Sequence, residues 1–260
     1  MKGANILAAA AILVGSPVGA AEPSFAETAN ALFAIGSPSN RISPSDCGLV
    51  NGRISFNGWL DDVGAVRGLF APPYYSTDFT LALRVNGENV RASSHVWRPE
   101  VLRRVGTNGA WRVSSSLYPI ADERAGVLEV VAENVSKLPQ RLYVNCLVGG
   151  GAGIQEKWQF GKPGLPPVAT LRYDDWVAVL DGTQDEAQVA VSLPGGVRAL
   201  DFRNVPPGGR HRFHVCFAIG RKGETVALVK RLRASPVASI ERSVKEWRRR
   251  VGSLFPLPGA

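Results

Sequence analysis

The chain is a succession of short runs in which apolar and polar residues alternate, with turn residues between one run and the next. A period of two places every second side chain on one face of an extended strand, so each run can bury one face and wet the other. The alternation is sharpest in Trp111-Val113-Ser115-Leu117 and in Phe213-Val215-Phe217-Ile219. Strands are expected at Arg53–Leu60, Thr77–Val85, Val90–Trp97, Gly109–Tyr118, Val127–Val135, Gln140–Gly149, Val168–Tyr173, Trp176–Leu180, Ala187–Leu193, Val197–Arg203 and His211–Ile219. Helices do not alternate with these runs, which argues against a parallel α/β sheet. The expected fold is all-β, a large antiparallel β-sandwich of the supersandwich kind.

Turn chemistry supports this division. Val85-Asn86-Gly87-Glu88 is a hairpin signal, because a type I′ turn needs positive φ at both central residues. Thr107-Asn108-Gly109, Pro194-Gly195-Gly196 and Pro206-Pro207-Gly208-Gly209 punctuate in the same way. Two stretches, Asp61–Ser76 and Gly149–Pro167, read as longer loops. Long loops on a rigid sheet are common carriers of binding groups.

Both ends differ from this body. Lys2, the apolar core Ile6–Val14 and the small residues around Ala20-Ala21 match a secretory signal peptide, expected over residues 1–21. That predicts an exported protein, periplasmic or secreted. An Ala/Ser-rich lead-in covers 22–40, the sandwich 41–221 and a helical extension 222–260. Within the extension, Ile240, Val244, Trp247 and Val251 form one stripe of an amphipathic helix. Pro236 suits its first turn, with Ser235 as the cap. Val244 and Trp247 are expected to bury against the body, leaving Lys245, Arg248 and Arg249 in water.

The formal charge of +8 is not spread evenly. From Arg221 onward, ten basic residues face only Glu224, Glu241 and Glu246, a net +7, and Lys2 supplies the rest. The body is therefore neutral overall, which argues against a nucleic-acid face. No other apolar run is long enough to span a bilayer. Cys47, Cys146 and Cys216 are odd in number, so at most one disulfide could form within the chain. Their spacing leaves the pair open and fits no metal motif. Cys146 shares its face with Leu142, Val144 and Val148, as a buried strand thiol would.

Asn134-Val135-Ser136, Gln140-Arg141-Leu142-Tyr143-Val144, Cys216-Phe217-Ala218-Ile219-Gly220, Gly223-Glu224-Thr225 and Val244-Lys245-Glu246-Trp247-Arg248 follow one another in an order that carries a resemblance. Over roughly residues 41 to 255 the chain resembles the N-terminal β-sandwich and linker helix of bacterial six-hairpin (α/α)6-barrel glycosidases, the glucoamylase and trehalase-like group. In that family the catalytic carboxylates lie in the helical barrel, so none carries over to a residue here. The resemblance implies a non-catalytic, carbohydrate-associated module, with a helical catalytic domain or protein partner at the C-terminal helix.

Several residues are candidates for chemistry. Trp158, Tyr74, Tyr75 and Trp59 are candidate carbohydrate platforms, since an aromatic face joins flat apolar area to a polar edge. Trp97 and Trp176 belong to the same set, whereas Trp111 reads as core. Asp62 and Glu156 are the carboxylates best placed for catalysis, each in a long loop beside aromatics. Asp61-Asp62, Asp122-Glu123 and Asp174-Asp175 flank turns, where Asp caps backbone. His211 and His214, three apart on one strand, face opposite sides, and His95 is remote in sequence. Neither a metal nor a cofactor is expected. The leading reading is an exported non-catalytic glycan-binding or glycosidase-supporting module. The alternatives are a glycan hydrolase or lyase using loop carboxylates, and a structural module without a ligand.

Overall fold

The computed structural model describes residues 48–59, 62–155, 168–174, 176–183, 185–194 and 199–254, without the side chains of 77–78 and 251–254. The expected signal peptide and lead-in, Cys47, Glu156 and Trp158 lie outside the described residues. So do Asp61, Asp175 and most of the Pro194-Gly195-Gly196 turn.

The fold is all-β with two C-terminal helices. A seven-stranded antiparallel sheet contains β1 (Gly48–Val50), β2 (Ser55–Gly58), β3 (Ala65–Ala71), β4 (Tyr74–Val85), β9 (Gln140–Gly149) and β14 (Ala199–Val205) in that spatial order, with β10 (Gly153–Ile154) paired to β4. An eight-stranded antiparallel sheet runs β11 (Ala169–Asp174), β12 (Val177–Gly182), β13 (Ala187–Ser192), β15 (Arg210–Arg221), β8 (Ala125–Asn134), β7 (Trp111–Pro119), β6 (Val101–Asn108) and β5 (Ala92–Arg98). Their inner faces share one core, including Leu69, Phe79, Leu83, Trp111, Leu117, Val130, Val189 and Phe217. Each such side chain taken from water contributes roughly 1.5–3 kcal/mol. Phe56 and Phe217 meet edge-to-face across the sheets, ring centres 5.0 Å apart. A Cβ on Gly126 would come within 2.3 Å of Phe217, so that position has room only for glycine.

A second core lies on the outer face of the eight-stranded sheet. There α1 (Glu224–Ala234) buries Val226, Val229 and Leu232 against Val177, Val179, Ala190, Cys216 and Ala218. Its start is held by Gln188, whose Oε1 accepts from Gly223 N–H at 3.1 Å and from the Thr225 hydroxyl.

The second helix, α2 (Pro236–Leu254), begins at the expected proline. Its buried residues are not the expected apolar ones. Ser239 and Ser243 are buried, and Ile240, Val244 and Trp247 are half-buried. Ser243 Oγ accepts the Ala121 N–H at 2.9 Å and donates to Ser239 O at 2.9 Å. Small hydroxylated residues let the helix come close to the β7–β8 turn, where Arg250 also pairs with Asp122 at 2.8 Å. Lys245, Arg248 and Arg249 are exposed.

The turns form where expected but not always between paired strands. Asn86 and Gly87 take φ of 53° and 82°, closing Val85 onto Glu88. Beyond that bridge the chain leaves β4 and enters β5 of the other sheet, so this turn links two layers. Of the loop expected over Asp61–Ser76, the described residues 62–76 are no long loop. They contain β3 and the start of β4, joined at Pro72-Pro73, with a bulge at Gly68, φ 57°. Cys146 faces the inter-sheet core and Cys216 the core under α1. Both are free thiols separated by the eight-stranded sheet, and burial pushes the Cys216 thiol up to about 12.

Candidate functional site

The described candidates from the sequence do not gather at one open site. Trp59 follows β2 and is half-buried, with the Arg67 guanidinium 3.1 Å from its ring centre, so one ring face is occupied. Tyr74 pairs with Ala71 at the far end of β3 and packs at the rim of the inter-sheet core. β3 spans roughly 20 Å, so Trp59 and Tyr74 do not share a surface. Tyr75 is buried on β4, paired with Gly153 of β10, and offers no open ring face. Trp97 Nε1 donates to Gly48 O at 2.8 Å, tying β5 to β1, and Trp111 is core.

Asp62 is buried, and its Oδ1 accepts the Gly64 N–H at 3.0 Å. Burial raises its pKa; that hydrogen bond and Arg104, Arg84 and Arg67 oppose the rise. This carboxylate closes a turn. Beside it lies the largest polar feature of the interior, Arg104, which sequence reasoning missed. Arg104 points inward from β6 and is fully buried. Its Nη1 donates to the carbonyls of Trp59 (2.8 Å), Asp62 (3.1 Å) and Ala65 (2.8 Å), and its Nε to Ser115 Oγ at 3.1 Å. One guanidinium nitrogen thus holds three carbonyls between Trp59 and Ala65, and His95 stands opposite Arg104 in the strand register. Burying such a charge is tolerable only with this degree of hydrogen bonding. The cluster is structural: Arg104 is fully buried and its Nη1 is turned onto backbone carbonyls.

Among the described residues an open polar surface lies elsewhere, on the part of the eight-stranded sheet's outer face that α1 leaves bare. Register aligns its rows. Arg112, Glu133 and Arg210 stand side by side on β7, β8 and β15, and Val105, Ser114, Val131 and Arg212 form the next row from β6 to β15. A third row runs Arg103, Ser116, Glu129, His214. The first two rows line a groove of about 680 Å³. Glu133 receives Arg210 at 2.9 Å and Arg112 at 3.7 Å. Glu129 meets His214 at 3.0 Å and Arg212 at 3.8 Å. The hydrogen bond with His214 holds the Glu129 carboxyl below the usual range, against burial and with help from Arg212. The opposite placement of His211 and His214 is as expected: His211 packs against Phe202, ring centres 4.0 Å apart and planes tilted by 32°.

A second exposed feature is Trp176, at the β11–β12 turn. Among the described tryptophans it alone is exposed, at 41%. Its φ of 107° is a conformation bulky residues rarely adopt. The turn is fixed by the Leu193 N–H donating to Trp176 O at 2.8 Å, and Arg233 of α1 lies 5.2 Å from the ring centre. Among the described residues no group of three or more His, Cys, Asp and Glu side chains is gathered to hold a metal ion. No helix among them is long and apolar enough to cross a membrane.

No protein-family profile and no curated protein matches this chain. Among solved structures it is similar to a bacterial glucoamylase complexed with acarbose, at 9% identity over 76% of this chain and 35% of that one, TM-score 0.43. It is similar to a protein assigned as a kojibiose phosphorylase from the human microbiome, at 7% identity over 82% of this chain and 33% of that one, TM-score 0.47. A YidC insertase with its first transmembrane domain resolved shares 14% identity over 90% of this chain and 50% of that one, TM-score 0.36. The chain thus spans a third to a half of the length of these structures. At TM-scores below 0.5, none of these likenesses assigns a family or an activity.

Proposed function

We propose that the chain is an exported, non-catalytic carbohydrate-associated module that binds a glycan along the bare outer face of its eight-stranded sheet. The observation that carries this reading is the groove over β6, β7, β8 and β15. Sugar hydroxyls both donate and accept, so a saccharide chain needs donors and acceptors interleaved at close range. Here guanidinium donors, a carboxylate acceptor and the Ser114 hydroxyl stand over the aliphatic side chains of Val105 and Val131. Glu129, in the row beside the groove, suits binding rather than acid catalysis. A glycosidase acid needs a raised pKa, whereas Glu129 is held low by its His214 hydrogen bond. Trp176 is a second stacking candidate at the sheet edge, and Trp158 keeps that role as an expectation from the sequence.

A glycan array with the exported protein, paired with a reducing-sugar assay, tests the reading. Binding without release of sugar is the expected result. Release of sugar that is lost in Asp62→Ala or Glu156→Ala would favour an enzyme instead. Export is tested by mass spectrometry of protein from the periplasm, where a start after Ala21 is expected and an intact Met1 would refute it.

The half-buried stripe Ile240, Val244 and Trp247 favours a companion role, in which α2 seats a glycosidase catalytic domain. Trp247→Ala should then weaken association with a co-expressed (α/α)6 domain more than it lowers the melting temperature. Association unaffected by the substitution would contradict that role.

A further inference from the structure

We infer that the bare-face groove selects an acidic glycan, a saccharide chain bearing carboxylate groups, over a neutral one. This rests on the glycan-binding reading above and narrows it. The lining carries three guanidinium groups, Arg112, Arg210 and Arg212, against one carboxylate, Glu133. The vertical arrangement adds to the excess. The Arg112, Arg210 and Arg212 side chains are 56%, 65% and 62% exposed, whereas Glu133 and Glu129 are only 18% and 21% exposed. The carboxylates are sunk between the strands and orient the arginines from below. The guanidinium heads project above them with donors still turned to solvent.

A ligand lying on the face therefore meets cations first, although the body of the chain is neutral overall. Arginine is the side chain suited to this task, because its planar fork matches a carboxylate with two parallel hydrogen bonds. The backbones of Arg112 and Arg210 are two strand spacings apart, roughly 10 Å, but their guanidinium groups converge on Glu133, whereas Arg212, one row along, turns to Glu129. Positive groups gathered over Glu133 and over Glu129, four residues apart on β8, meet charges that recur along a polymer better than one compact anion. The neighbouring Arg103 lies in the third row, one strand beyond Ser116, and extends the positive strip towards β5.

The test is titration of the full chain with polygalacturonate, with the neutral glucan pullulan and with a short DNA duplex, each at low and high salt. Polygalacturonate should bind, and binding should weaken with salt because exposed charges are screened. The Arg210→Ser/Arg212→Ser double variant should lose about tenfold or more of that affinity at an unchanged melting temperature. If pullulan binds as tightly and the double variant binds both polysaccharides undiminished, selection for acidic chains is refuted while glycan binding stands. If neither polysaccharide binds, the glycan reading itself fails. DNA binding as tightly as polygalacturonate, with the same dependence on Arg210 and Arg212, would overturn the inference by making the face a general polyanion surface.

Discussion

Along β8, the outward residues are Ala125 and Val127 at one end and Glu129, Val131 and Glu133 at the other. Along β15 they change in step, from Ala218 and Cys216 to His214, Arg212 and Arg210. One sheet face thus carries two surfaces that meet between adjacent rows. On the first, small apolar side chains lie against α1 and are buried completely. On the second, long charged side chains stand in ion-paired rows open to solvent. The backbone is continuous across the boundary, so the division is written in side chains alone. Alanine, valine and cysteine leave a smooth bed on which a helix can settle. Arginine under a helix would have to give up its hydration without a partner.

The sharpest way to break the comparison is to move a charge across the boundary. Val127→Lys places an unpaired ammonium in the core under α1 and should cost about 3–5 kcal/mol, read by urea denaturation. A parent-like midpoint would mean that this half is not sealed. Next in size is Leu232→Ala, which removes a buried contact of α1 and should cost about 2–5 kcal/mol, depending on how far the site collapses.

On the bare half the effects should be smaller and depend on conditions. Glu129 has a depressed folded pKa, so its contribution is present above the ordinary glutamate value of 4.5 and is lost as pH falls through the depressed one. Glu129→Gln should therefore be less stable than the parent at neutral pH, and the gap should close on acidification below 4.5. A gap that is constant with pH would remove the His214 pair from the account. The smallest effect is expected for Ser114→Lys, within about 0.5 kcal/mol, because a solvated row accepts another cation. Thermal melts of Val127→Lys and Ser114→Lys side by side give the contrast directly.

Part of this was legible in the sequence. β7, β8, β9 and β15 follow their alternation closely, and the Asn86-Gly87 turn has the dihedral angles its residues require. Its destination was not legible, because a tight turn fixes a reversal of the chain and not the sheet in which the next strand pairs. β3 was hidden by Gly64, Gly68 and the two prolines, which mimic a loop, so Tyr74 and Tyr75 read as loop residues. β6 was hidden by Arg103-Arg104, which interrupts the alternation. Neighbours on a strand point to opposite faces, so one of that pair had to point inward once the segment was a strand. Nothing local announces that three carbonyls of the β2–β3 connection wait there for it. The bare face was present in the same alternations, in their polar half. Its character depends on the lateral register that brings Arg112, Glu133 and Arg210 together from distant strands. The serine face of α2 was missed because a search for apolar stripes passes over small polar residues that permit close approach.

The central claim is that the bare half binds a saccharide chain while the α1-covered half is only core. Hydrogen–deuterium exchange of the full chain with and without polygalacturonate tests it most directly. Exchange should slow in segments 103–107, 112–116, 129–133 and 210–214, and stay unchanged in α1 and around Asp62 and Tyr74. Protection confined to those other regions, or spread evenly over the molecule, would contradict it.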